Sequence, residues 1–137
     1  MGRWWFGLFL AFVALLGGCR PPAPTPNPAL VQRGEVLYNT HCLSCHGGRE
    51  GRPPDPYAPP HTTAGHTWHH PDGQLKEIIL NGLTGRGTMP AFRGVLSEED
   101  VEAILAYIKT WWGPAERAYQ AEVSRRWEEA RRQRSPR

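Results

Sequence analysis

Only three cysteines occur in the 137 residues, and two of them, Cys42 and Cys45, stand three positions apart. No second cysteine pair exists to complete four zinc ligands. No βαβ pattern surrounds the pair, so the usual setting of a thioredoxin-like redox couple is missing. Internal repeats are absent. The longest apolar run, Trp4 to Leu16, is shorter than the roughly 20 residues a bilayer-spanning helix needs. Methionine is nearly absent too, with Met89 the only one after Met1. The net charge of +3 comes from the two ends, and the centre is mildly acidic. Arginines near the C-terminus alternate with glutamates, which is no signature of nucleic-acid binding.

What is present is concentrated in Cys42-Leu43-Ser44-Cys45-His46, a C-x-x-C-H pattern that reads as covalent haem attachment. Two thiols on one helical turn can each add to a vinyl group of the same porphyrin. The histidine that follows can then offer a ring nitrogen to the iron as proximal ligand.

The third cysteine belongs to a different arrangement. Residues 1–18 have a positively charged start and an apolar block, as a secretory signal peptide does. The block ends in Leu16-Gly17-Gly18-Cys19, which resembles a bacterial lipobox and marks Cys19 as a lipidation site. An uncleaved anchor or an ordinary signal-peptidase site would also fit these residues. All three place the remainder across the membrane. Residues 19–29 form a proline-rich tether, with five prolines in the nine residues Arg20 to Pro28. An extended polyproline path there would span about 25–30 Å.

About 120 residues remain, enough for one small domain. Apolar spacing predicts a first helix near Ala29 to Thr40, a second from Pro71 closed by Asn81-Gly82, and a third opened by a capping box at Ser97. The third is expected to run through Trp111 and Trp112 to Gly113-Pro114. Gly34 lies inside the first helix, where glycine costs about 1 kcal/mol against alanine, so a close helix contact is expected there. Residues 113–137 form a charged helical extension. Its Tyr119, Val123, Trp127 and Ala130 stripe either lies back on the domain or docks on a partner or membrane surface.

A haem held by His46 needs a sixth ligand for electron transfer with little rearrangement. Met89 stands in Gly87-Thr88-Met89-Pro90, where the glycine-rich approach and the following proline favour an inward-pointing side chain. A core-filling role is its alternative.

The set resembles the class I cytochrome c family over residues 30–112: Gly34 and Tyr38, Cys42-x-x-Cys45-His46, Met89-Pro90 and an aromatic-bearing C-terminal helix. The resemblance implies an all-α fold of three to four helices around one covalently attached haem c, with an extra C-terminal helix. It implies thioethers at Cys42 and Cys45 and iron ligation by His46 and Met89. Gly34 would then lie at a crossing of the first and third helices, with Tyr38 and Tyr107 or Trp111 beside it.

The main departure is His61-to-His70, which holds four of the six histidines. One reading makes His66, His69 and His70 a second metal site, for instance for copper. Another has one histidine displace Met89 or act as a pH-sensitive switch. The plainer one is a haem-edge loop in which Trp68 packs on the macrocycle and one histidine caps the next helix. The functional expectation is a lipid-anchored, monohaem electron carrier at the outer face of the bacterial cytoplasmic membrane. It would serve redox protein partners, with no small-molecule substrate and no nucleic acid. The alternatives are a haem subunit of a larger oxidoreductase or oxidase, and a sensor or peroxidase-like protein with a labile sixth ligand.

Overall fold

The computed structural model describes residues 26–85 and 88–134. The expected signal segment, Cys19 and most of the proline-rich tether lie outside the described residues. Those residues form five α-helices in chain order: α1 Pro28–His41, α2 Leu43–His46, α3 Asp72–Asn81, α4 Glu98–Lys109 and α5 Pro114–Arg134. A single 3-10 turn, Thr67–His69, precedes α3. Isolated bridges pair Leu83 with Met89 and Arg93 with Leu96, and no strand occurs among the described residues. The fold is all-α, as expected.

The helix ends follow local chemistry. Asn27 caps α1 by accepting from the Ala29 amide at 2.9 Å, and Pro28 takes a first-turn position where a missing N–H costs nothing. At α4 the capping box is complete. Ser97 Oγ accepts from the Asp100 amide at 3.1 Å, and the Asp100 carboxylate accepts from the Ser97 amide at 3.0 Å.

α4 stops earlier than its apolar spacing predicts, at Lys109. Thr110 N–H and Trp111 N–H bond back three residues, to Tyr107 O and Ile108 O at 3.0 Å each. Thr110 Oγ1 also donates to Tyr107 O at 2.7 Å. Trp111 and Trp112 therefore sit on a turn, and Pro114 begins α5 instead of ending α4.

α1 and α4 cross at Gly34. A Cβ on Gly34 would lie 1.9 Å from Ala103 O and 2.5 Å from Ala103 C, so only glycine allows this backbone approach. Around the crossing Tyr38 meets Tyr107 and Trp111 with ring centroids 5.7 and 5.1 Å apart. Val101, Ile104, Leu105 and Ile108 of α4 are buried with Tyr38, Leu75, Leu80, Leu96 and Trp112. Each such large apolar side chain contributes about 1.5–3 kcal/mol on burial.

α5 lies back against the 3-10 turn and α3, with two residues of the expected stripe, Tyr119 and Trp127, facing Trp68 and Gly73. Tyr119 is 49% exposed, while Gln120 is 2% exposed. Gln120 and Ser124, polar residues one position on from Tyr119 and Val123, also face inward. Gln120 Nε2 donates to Asp72 Oδ1 at 2.6 Å and to Ser124 Oγ at 3.0 Å. Pro71, the N-cap of α3, makes no side-chain cap, and Ser124 Oγ supplies the missing acceptor to the Asp72 amide at 3.0 Å. Lys109 completes the junction with an ion pair to Asp72 at 2.6 Å. Trp127 passes so near α3 that a Cβ on Gly73 would lie 2.3 Å from its Nε1.

Candidate haem-binding site

Cys42, Cys45 and His46 share one short turn. Cys42 caps α1, its amide bonding to Tyr38 O at 2.8 Å, and its own carbonyl starts α2 by accepting from the Cys45 and His46 amides. α2 ends at Gly47, whose φ of +69° belongs to the left-handed region. A Cβ there would also lie 2.5 Å from Arg52 O. Tyr38 Oη fastens this end by donating to Gly47 O at 2.7 Å. The α1–α4 crossing and the haem-attachment turn are thereby joined through one tyrosine.

Both cysteines are free thiols, Cys42 buried and Cys45 exposed. Burial pushes the Cys42 thiol up to about 12, and the neighbouring Cys45 adds to the shift. A thiol held neutral is a poor thiolate ligand and a poor redox nucleophile. That disfavours the thioredoxin reading of the pair.

His46 is 8% exposed. Its Nδ1 lies 2.8 Å from Pro59 O. A carbonyl only accepts, so Nδ1 carries the proton and the Nε2 lone pair is left for a metal ion. This donor set fits covalent haem: two thiols and an oriented imidazole at positions 42, 45 and 46 of one turn. Pro59 was not foreseen from the sequence, because it acts through its backbone oxygen.

Met89 is held on a separate segment. Its amide and carbonyl both pair with Leu83, at 2.9 and 3.0 Å. The segment lies against the end of α3, where a Cβ on Gly82 would come 2.8 Å from Met89 O. Phe92, three residues on, meets His41 at 6.0 Å, and His41 directly precedes Cys42. The Met89 loop and the attachment turn are thus neighbours through the His41–Phe92 contact, and Met89 itself is partly exposed.

The four histidines of residues 61–70 part company. His61 turns inward and stacks on His46, with ring centroids 4.2 Å apart and planes at 24°. Its Nδ1 lies 2.8 Å from Thr67 Oγ1, and its carbonyl accepts from Trp112 Nε1 at 2.7 Å. Burial, with His46 and then His66 nearby, pushes the His61 imidazole down to about 3, which keeps it neutral. His66 and His70 meet edge to face at 5.5 Å, and His70 Nδ1 lies 3.1 Å from Gln74 Oε1 instead of capping α3. His69 lies against Trp68 at 3.7 Å. Trp68 packs on Tyr119 of α5, and its Nε1 donates to Gly65 O at 3.0 Å. No group of three or more histidine, cysteine or acidic side chains among the described residues is gathered to hold a metal ion. The expected His66, His69 and His70 metal site is therefore not gathered among the described residues: His66 and His70 face each other, while His69 lies against Trp68.

Residues 29–108 match the family described as cytochrome c oxidase, cbb3-type, subunit III. The chain is 27% identical over 108 residues to a cytochrome c6 of Synechocystis sp., covering 77% of this chain and 86% of that protein. It is 30% identical over 81 residues to a cytochrome c6 of Microcystis aeruginosa, covering 55% of this chain and 89% of that protein. No solved structure matches it. One C-x-x-C-H turn with an oriented histidine, in an all-helical domain, agrees with these likenesses. The chain belongs to the family of cytochrome c oxidase, cbb3-type, subunit III, and is a c-type cytochrome: a monohaem electron carrier whose haem c is covalently bound.

Proposed function

We propose that this chain passes single electrons between redox protein partners at the outer face of a bacterial cytoplasmic membrane, held there by a lipid on Cys19. Cys42 and Cys45 would carry the thioethers, and His46 and Met89 would ligate the iron. When bound, the haem iron supplies the one-electron couple. The observation that carries this reading is the 2.8 Å contact from His46 Nδ1 to Pro59 O, which leaves Nε2 free to ligate.

The chain's own residues do the rest. Pro59 and Tyr38 hold the attachment turn rigid, which keeps ligand movement small when charge changes. The Leu83–Met89 bridge and Pro90 restrict the methionine segment. Thioether ligation favours the reduced state, and a buried site opposes the extra charge of the oxidised one. Leu43, between the two cysteines, is 38% exposed. It offers a small apolar contact next to the attachment turn, suited to brief encounters.

Two experiments test this. Denaturing the protein in acidified organic solvent is expected to leave the pigment on the polypeptide; pigment in the supernatant contradicts the thioethers. Metabolic labelling with palmitate is expected to mark the wild-type protein and not Cys19→Ser; label that persists on the variant would contradict the lipid anchor.

A second reading, a subunit within an oxidase, is favoured by the description of the matched family. Purification with other subunits in fixed stoichiometry would support it over a free carrier.

A further inference from the structure

The His61 imidazole has no part in the reading given above, yet it is the ring closest in orientation to the proposed axial ligand. A stack at 4.2 Å and 24° places it on the face of the His46 ring. A neighbour on the face leaves the in-plane Nε2 lone pair clear while blocking rotation of the ring about its side-chain bond.

His46 is then held at two kinds of point. The contact from Nδ1 to Pro59 O at 2.8 Å fixes one atom, about which the ring could still swivel. Contact with the flat side of a second ring removes that swivel. His61 can impose the constraint because its own placement is fixed from two sides. Thr67 Oγ1 lies 2.8 Å from its Nδ1, and Trp112 Nε1 donates to its carbonyl at 2.7 Å. Tyr38 closes the edge, with its ring centroid 6.0 Å from that of His61. Residues after α4, in the 3-10 turn and in α1 thus converge on His61, the first through its backbone and the other two on its ring.

We propose that His61 is a positioning residue that sets the azimuth of the His46 ring plane, and through it the orientation of the axial ligand relative to the porphyrin nitrogens. This rests on His46 being the proximal ligand. The azimuth of an axial imidazole decides which porphyrin nitrogens share its π overlap, and with it the distribution of unpaired spin in the ferric state. The site would therefore be tuned by a side chain that never touches the iron.

The test is the proton NMR spectrum of the ferric holoprotein, read at the four haem methyls, with the reduction potential measured on the same samples. His61→Leu removes the flat ring while filling similar volume. It is expected to redistribute the four methyl shifts and to shift the potential, with covalent haem and the methionine-ligated absorption spectrum retained. His61→Phe restores a flat ring without ring nitrogens and is expected to return the shifts towards wild type. If Leu leaves the pattern superposable on wild type, or if Phe departs from it as far as Leu does, the proposal is overturned. Should the Leu variant not fold, Thr67→Val carries the test by releasing His61 Nδ1: a changed methyl pattern supports the proposal, and an unchanged one overturns it. Failure of the underlying ligand assignment looks different, because the wild-type spectrum would then lack the upfield methionine methyl and the haem-shifted imidazole protons altogether.

Discussion

The α1–α4 crossing and the α5 docking face are built on opposite plans. At the crossing, two backbones touch through a missing side chain, and apolar rings close around the contact. At the docking face, a buried amide, a hydroxyl, a carboxylate and an ammonium meet at Asp72, and one tryptophan passes over Gly73. The crossing carries the attachment turn directly through Tyr38, whereas α5 reaches the site indirectly, through the 3-10 turn and Trp112. Damage to the first should cost stability and haem together, and damage to the second should cost stability alone.

Gly34→Val should have the largest effect. Its branched side chain would collide with the Ala103 backbone, a rigid obstacle, so a loss of about 3 kcal/mol is expected, at the upper end for an overpacked core. Chemical denaturation should show it, and the yield of haem-loaded protein should fall in parallel.

Next comes Asp72→Ala. It leaves Gln120 buried without its nearest acceptor and removes the partner of Lys109, at a cost of about 1–3 kcal/mol. α5 should become cleavable by protease while the absorption spectrum of the holoprotein stays unchanged. A spectrum altered as much as by Gly34→Val would erase the distinction between the two regions.

Ser97→Ala should cost about 1 kcal/mol, the usual effect of losing an N-cap, visible as a small drop in thermal midpoint. It acts on α4 and therefore on the crossing.

The smallest effect is expected from Glu122 on the outer side of α5. Hydrogen bonds from Arg125 and then Arg126 hold its carboxyl at about 2, below the usual 4.5. A carboxylate favoured in the folded state stabilises above its ordinary pKa, and this contribution fades as pH falls from about 4.5 towards 2. Because its arginine partners lie at the surface in water, the effect is slight. Glu122→Gln should flatten the acid side of the α5 helicity curve measured by circular dichroism, leaving neutral pH unchanged.

The same contrast explains what the sequence discloses. Gly34, Tyr38 and the C-x-x-C-H turn are legible because apolar spacing and covalent chemistry leave marks at fixed intervals. The capping box at Ser97 is legible for the same reason. The polar junction of α5 leaves no such mark: Gln120 reads as a surface residue until Asp72, 48 positions earlier, is placed beside it. α4 ends early because a hydroxyl and two tightened turns outweigh an apolar pattern that runs on to Trp112. Pro59 is invisible since its carbonyl, which every residue possesses, performs the task. The histidine-rich stretch admits a metal site as one reading, but His61 goes to His46, His69 to Trp68 and His70 to His66 and Gln74, and only a folded chain shows that.

The axial pair is tested most directly by the far-red absorption of the ferric holoprotein, where iron–thioether bonding gives a weak band. Wild type is expected to show this band, and Met89→Ala to lack it while keeping covalently bound haem. A wild type without the band, or a Met89→Ala protein that retains it, would contradict ligation by His46 and Met89.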